Sequence, residues 1–173
     1  DDKQICSWNA LMLKGYADAY LATNNTSYLE AAEKNRAFIE KSFLRDAHLL
    51  RIYKDGKSTI NGFIEDYACV IDAYIQLYQC TFDAQLLYTA KQLLDTCFSE
   101  FYNEEVQLFY FTSKNDPPLV TRKTDTGDDV ISSANAILVE MLYKLGYYFG
   151  DTHYTQVANT MLAKMGQQMQ KYP

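Results

Sequence analysis

The chain has 173 residues, 48% of them apolar and 22% charged, a composition that builds a core and excludes disordered and collagen-like classes. Its 22 acidic side chains against 16 basic ones leave a formal charge of −6, the wrong sign for a surface that tracks nucleic-acid phosphates. Gly and Pro number only 7 and 3, so long uninterrupted elements are expected, and 15 tyrosines are the one excess.

Helical periodicity predicts six helices, at 7–23, 27–44, 63–80, 84–102, 133–149 and 152–171. Trp8, Leu11, Met12, Leu13, Tyr16, Ala17, Tyr20 and Leu21 leave the first almost no polar face, the pattern of a helix buried on every side; the third and fifth read the same way. The overlapping sequons at Asn24, Asn25, Thr26 and Ser27 fall between the first two helices and read as capping chemistry. The second, fourth and sixth helices are amphipathic. In the sixth, Tyr154, Val157, Ala158, Met161, Leu162, Met165 and Met169 form one stripe, expected to pack in the core. A strand-like run, Leu49 to Tyr53, follows the second helix. Another, Val106 to Phe111, follows the fourth, and a return strand is expected at Leu119–Thr121 after Pro117-Pro118.

The helix pairs repeat. Ala32, Ala90 and Ala158 correspond, as do Tyr28, Leu86 and Tyr154, at separations of 58 and then 68 residues. A unit of inner helix, outer helix and strand is too long for a tetratricopeptide of about 34 residues, whose repeat has no strand. The expected fold is all-α with short β-hairpin insertions: an α/α toroid in which inner helices ring a cavity. The segment 1–173 is read as a single domain with about three hairpins of a six-hairpin ring. Its first and last pairs should then leave exposed edges open to self-association.

No basic and apolar leader is visible at the start, and Lys14, Asp18, Asp72 and Glu140 interrupt the most apolar stretches, so no membrane span is expected. Cys6, Cys69, Cys80 and Cys97 include no C-x-x-C, and three of them sit in apolar helical runs. They are read as core thiols in a reducing cytoplasm, and neither metal nor cofactor is expected. P-loop, G-x-G-x-x-G, H-E-x-x-H and G-x-S-x-G patterns are absent, which weakens nucleotide-dependent and zinc-protease readings. His48 and His153 are not placed as convincing general bases.

The repeat register also points to a site. Trp8, Asp66 and Ala134 are equivalent, and so are Asn9, Tyr67 and Asn135; each trio opens an inner helix. In a toroid, three helix N-termini with unpaired N–H groups would converge on the cavity mouth. Capping is the plainer alternative, with Ser7 and Ser132 or Ser133 as N-caps and Glu65 and Asp66 as first-turn acids. Glu65, Asp66, Asp128 and Asp129 are the carboxylates near these helix starts. Glycosidic cleavage needs two carboxyl groups across a cavity, and epimerisation beside a carbonyl needs an acid and a base, so Asp66 and Asp128 are the expected catalytic pair. Asp129 reads as loop decoration. Trp8 and Tyr67 suit a sugar cavity, because a ring face stacks on C–H groups. Asp1-Asp2-Lys3 directly precedes the first inner helix and is expected either to fold over the cavity or to fray.

The runs DDKQICSWNALMLKGYADAY, YLEAAEKNRAFI, GFIEDYACVIDAYIQLYQCTFD, LFYFTS and DDVISSANAILVEMLYKLGYYFGDTHY resemble the helical part of YyaL-type proteins, relatives of the spermatogenesis-associated thioredoxin-like proteins. That resemblance implies an upstream thioredoxin-like domain as partner and a toroid similar to the N-acylglucosamine and cellobiose 2-epimerases, with a sugar or polyol as ligand. Carried over, the family's motif positions are Asp2, Lys3, Trp8, Asn9, Asp66, Tyr67, Ser133 and Asn135; Asp66 is expected to be catalytic, and the others, with Glu65 from its place at the helix start, substrate-binding. Two departures stand out. The motif's Pro is lost in Ser132-Ser133-Ala134-Asn135, and Asn9 is followed by Ala10 rather than Gly. No counterpart of the epimerases' histidine pair can be placed. A sugar isomerase, an epimerase or a glycoside-hydrolase-like enzyme is thus expected, against the alternative of a non-catalytic scaffold attached to the thioredoxin-like domain.

Overall fold

The computed structural model describes residues 2–117, 121–124, 126–127 and 130–169. A short strand, β1 (Gln4–Ile5), runs into α1 (Cys6–Thr23), which turns into α2 (Thr26–Ser42). The turn is built by two asparagines. Asn24 takes the left-handed conformation and returns its N–H to the Tyr20 carbonyl, and the Asn25 side chain accepts from the Ser27 N–H as N-cap of α2. The sequon residues therefore do the capping expected of them.

Three strands follow: β2 (Leu44–Arg45), β3 (His48–Lys54) and β4 (Lys57–Asn61). β3 is central, pairing antiparallel with β1, β2 and β4. Only one strand is expected here from the sequence, yet Asp55-Gly56 closes a tight hairpin with both residues at positive φ, 50° and 76°. Such an Asp-Gly pair fits a two-residue type I′ turn, whose twist matches that of the flanking strands.

The second hairpin of helices is α3 (Ile64–Thr81) and α4 (Ala84–Glu100), followed by the small pair β5 (Tyr102–Asn103) and β6 (Leu108–Phe109). The third is α5 (Ala134–Phe149) and α6 (Thr152–Met169). Residues 119 and 120 of the expected return strand lie outside the described residues; Thr121 is not in a strand, and Thr124 makes an isolated bridge to Tyr110.

Inner helices stand side by side, with α3 packed between α1 and α5, and each outer helix packs behind its own inner one. The aligned alanines Ala32, Ala90 and Ala158 are fully buried, so small side chains at one register position let each outer helix sit close. Phe43 and Phe101 end α2 and α4 equivalently. Both are fully buried, and their carbonyls accept the N–H groups of Leu50 and Tyr110, which ties each strand to the helix before it. Truncating either ring to Ala would cost about 3–5 kcal/mol.

The expectation of all-round burial holds for α3 and fails for α1 and for α5, which buries eight of its 16 residues. Twelve of the 18 residues of α3 are buried, whereas α1 buries Cys6, Ser7, Ala10, Leu13 and Ala17 only. The reason is position: α3 has inner neighbours on both sides, and α1 has one. Trp8, Met12 and Leu21 consequently remain exposed. In α6, Val157, Ala158, Met161 and Met165 are buried as expected, but Leu162 is exposed and the Met169 side chain lies outside the described residues.

Candidate functional site

The N-terminal ends of α1 and α3 are joined by carboxylates. Ser7, in the first turn of α1, donates its backbone N–H to Asp66 Oδ1 at 2.9 Å and its hydroxyl to Glu65 Oε1 at 2.8 Å. Ser7 is therefore not an N-cap, as the capping alternative has it, but a bridge between helices; Ile5 holds the cap position. Asp66 Oδ2 accepts the N–H of Phe63 at 2.9 Å while the Asp66 N–H bonds the Phe63 carbonyl, a reciprocal cap at the start of α3.

Arg51 completes the arrangement from β3. Its Nη1 donates to Asp66 Oδ2 at 2.9 Å, its Nη2 lies 3.7 Å from Glu65 Oε1, and its guanidinium lies 4.7 Å from the centroid of the Phe63 ring. Sequence reasoning missed Arg51. The signal was present, since it is the one charge within the apolar run Leu49 to Tyr53.

Beyond Glu65 lies a cleft of about 180 Å³, also lined by Phe111, Val130, Ile131, Ser132, Ser133 and Ala134. Its wall is the N-terminus of α5, where Ser133 caps the helix by accepting the Ala136 N–H at 3.3 Å. The cleft thus combines a carboxylate with a helix end of positive partial charge. Trp8, 65% exposed, follows the Ser7 that holds Glu65. Of the expected site residues, Glu65 and Ser133 line the cleft, and Trp8 is exposed one residue beyond Ser7.

The others go elsewhere, for identifiable reasons. Asp66 is fully buried, and its two oxygens face three donors; burial pushes its carboxyl above the ordinary range, against the opposing pull of Arg51 and the Phe63 and Ser7 N–H groups. It touches neither the cleft nor solvent, so the geometry makes it a positioning group. Tyr67 is buried and turned to the hairpin side: its ring packs on Phe101 at 5.2 Å, its hydroxyl accepts the Leu49 N–H at 3.0 Å, and burial raises its pKa strongly. Asn135, also fully buried, accepts from the Phe109 N–H at 2.9 Å and donates to the Phe109 carbonyl at 3.0 Å. Tyr67 and Asn135 occupy the same register and do the same work, each clamping a strand, β3 at Leu49 and β6 at Phe109. Asn9 donates its amide to the Ile5 carbonyl within its own turn, at 2.8 Å. Asp2 pairs with Lys54 at 2.7 Å on the tip of β3, which lowers its pKa and draws the N-terminal segment toward the hairpin; Lys3 beside it is exposed. Asp128 and Asp129 lie outside the described residues.

Among the described residues, no group of three or more His, Cys, Asp and Glu side chains could hold a metal ion, and no helix is long and apolar enough to cross a membrane. A second cleft of about 180 Å³, beside β3, contains His48, Tyr67, Glu100 and Ser113. Its polar groups are mutually satisfied: Glu100 accepts from Ser113 Oγ at 2.9 Å and pairs with His48 Nε2 at 2.9 Å.

No protein-family model matches the chain. It is 29% identical to the uncharacterized protein B0495.5 of Caenorhabditis elegans and 25% identical to human spermatogenesis-associated protein 20, over its whole length in both cases. It spans about a quarter of those relatives, 25% and 23% of their lengths. The fold matches a GH76 α-mannanase from Bacteroides thetaiotaomicron (20% identity, TM-score 0.74, 94% of this chain and 44% of that one). It also matches cellobiose 2-epimerase from Bacillus thermoamylovorans (16%, 0.74, 96% and 46%). A third match is an inactive α-1,6-mannanase variant from a Salegentibacter species in complex with α-1,6-mannotriose (12%, 0.73, 92% and 46%). The chain thus has the α/α toroid fold of these solved structures, and its three helix hairpins span somewhat less than half of each.

Proposed function

We propose that the cleft between the N-terminal ends of α3 and α5 binds a carbohydrate or related polyol. The carrying observation is Glu65, a partly exposed carboxylate held by the Ser7 hydroxyl at 2.8 Å on the rim of the cleft, opposite the start of α5. A fixed carboxylate accepts hydroxyl donors, helix N–H groups donate to ring and hydroxyl oxygens, and the exposed Trp8 ring stacks on a sugar's C–H face. The fold supports this reading, since the solved relatives include one described with bound mannotriose.

For chemistry on the bound sugar, whether isomerisation, epimerisation or hydrolysis, Glu65 is the carboxyl placed to exchange a proton. In this reading Asp66 orients Glu65 through Ser7 and Arg51, and Asp128, two residues before Val130 in sequence, is the proposed second carboxylate. One observation favours the other reading, a non-catalytic scaffold beside an upstream thioredoxin-like domain: the bonds of Asp66 close it off from the cleft. The same kinship suggests a reducing cytoplasmic setting, consistent with four cysteines that form no disulfide.

The experiment is a calorimetric titration of the full-length protein with mannose, cellobiose and α-1,6-mannotriose. Binding that weakens in Glu65→Gln and Trp8→Ala supports the proposal, and turnover lost in Glu65→Gln adds catalysis to it. Absence of binding by all three sugars refutes it and leaves the scaffold reading.

A further inference from the structure

We infer that the opposite end of the helix array, where α1, α3 and α5 finish, is a docking surface for a basic polypeptide segment whose arginines stack on exposed aromatic rings. This surface is distinct from the cleft and does not depend on the carbohydrate reading.

Phe82 is the starting point. The three inner helices end at equivalent residues, Asn24, Phe82 and Gly150, with φ of 54°, 56° and 66°. Each returns its N–H to the carbonyl four residues back. Asn and Gly enter this left-handed region at little cost, and a phenylalanine does not. Burial does not repay the strain, since Phe82 is 77% exposed. Its ring meets Tyr78 at 6.0 Å, Tyr78 meets Tyr148 at 5.4 Å, and Tyr88 meets Phe149 at 5.6 Å. Phe82, Tyr78 and Tyr148 thus form an aromatic run from α3 to α5, with Tyr88 and Phe149 a second pair between α4 and α5 and Tyr147, 80% exposed, at the end of α5.

Charge selects the occupant. The last carbonyls of three similarly directed helices carry negative partial charge, and aromatic faces are negative as well. Asp18, in the last turns of α1, accepts from Gln76, and Asp151, just past α5, caps α6; neither is ion-paired among the described residues. The nearby cations are already engaged, Lys14, which also feels the Asp18 charge, by Asp72, Arg36 by Asp83 and Lys144 by Glu140. A guanidinium is the group that stacks flat on a ring while donating to carbonyls and carboxylates, so an arginine-bearing segment complements this end, and an acidic one is repelled.

The test measures fluorescence anisotropy of labelled octa-arginine and octa-glutamate with the full-length protein, its Phe82→Asn variant and a Glu104→Gln/Glu105→Gln control. The control removes charge from an exposed turn elsewhere on the surface. Octa-arginine should bind the wild type, lose about tenfold in affinity with Phe82→Asn and be unaffected by the control. Phe82→Asn should also raise Tm by about 2–4 °C, so weakened binding would not reflect unfolding. The inference is overturned if octa-arginine fails to bind, if Phe82→Asn leaves its affinity unchanged, if the control weakens it equally, or if octa-glutamate binds as tightly. Preference for neutral phosphatidylcholine vesicles over octa-arginine, lost in Phe82→Asn, would overturn it in favour of a membrane contact.

Discussion

At the N-terminal end of α1, α3 and α5, carboxylates, a guanidinium and backbone N–H groups are bonded to one another across helices, and Glu65 is left partly exposed at the cleft. At the C-terminal end of the same helices the rings of Phe82, Tyr88, Tyr147 and Tyr148 face solvent, and a strained residue sits where its two counterparts are Asn and Gly. The first end is costly to disturb because its charges are buried. The second should tolerate change, or gain stability from it.

The largest effect expected is at Arg51. Arg51→Met leaves the Asp66 carboxylate buried without its cation and should lower unfolding stability by about 3–5 kcal/mol in a denaturant titration. Next comes Asn135→Leu, which strands the buried N–H and carbonyl of Phe109 and should cost roughly 2–3 kcal/mol in the same measurement. At the other end the sign reverses: Phe82→Asn should stabilise by about 1 kcal/mol by relieving the left-handed strain. A destabilised Phe82→Asn variant would break the contrast between the ends.

Packing between the ends is tested by alkali. Burial, followed by its bond to Asp95, raises Tyr154 to about 12 from its ordinary 10. The unfolded chain therefore gives up this proton before the folded one does. Stability should be full below pH 10 and decline as pH climbs through 12, with a shallower decline in Tyr154→Phe. The smallest expected stability change is Trp8→Ala, within about 0.5 kcal/mol, because the ring is largely exposed.

Much of the fold was legible because its signals are periodic. Six helices, the aligned alanines and the toroid class follow from apolar spacing and a repeated register, and all describe the folded chain. What escaped depends on neighbours: α1 and α3 read alike in sequence, and only the number of inner helices beside each decides which is buried. The site was legible in part. The register picks out the helix starts beside which the cleft lies, but residue type does not say whether a polar group faces a cleft or a strand. Tyr67 and Asn135 prove to be clamps on Leu49 and Phe109. Arg51 acts at a distance of 15 residues from Asp66, a pairing that requires β3 to be laid against α3, which no local pattern reports.

The central claim, that the N-terminal cleft holds a sugar, is tested most directly by calorimetric titration of α-1,6-mannotriose, cellobiose and mannose into the full-length protein, its Trp8→Ala variant and its Phe82→Asn variant. Binding by at least one sugar, reduced about tenfold by Trp8→Ala and unchanged by Phe82→Asn, is the expected result. No heat of binding with any of them, or an affinity that Trp8→Ala leaves unaltered, would contradict it.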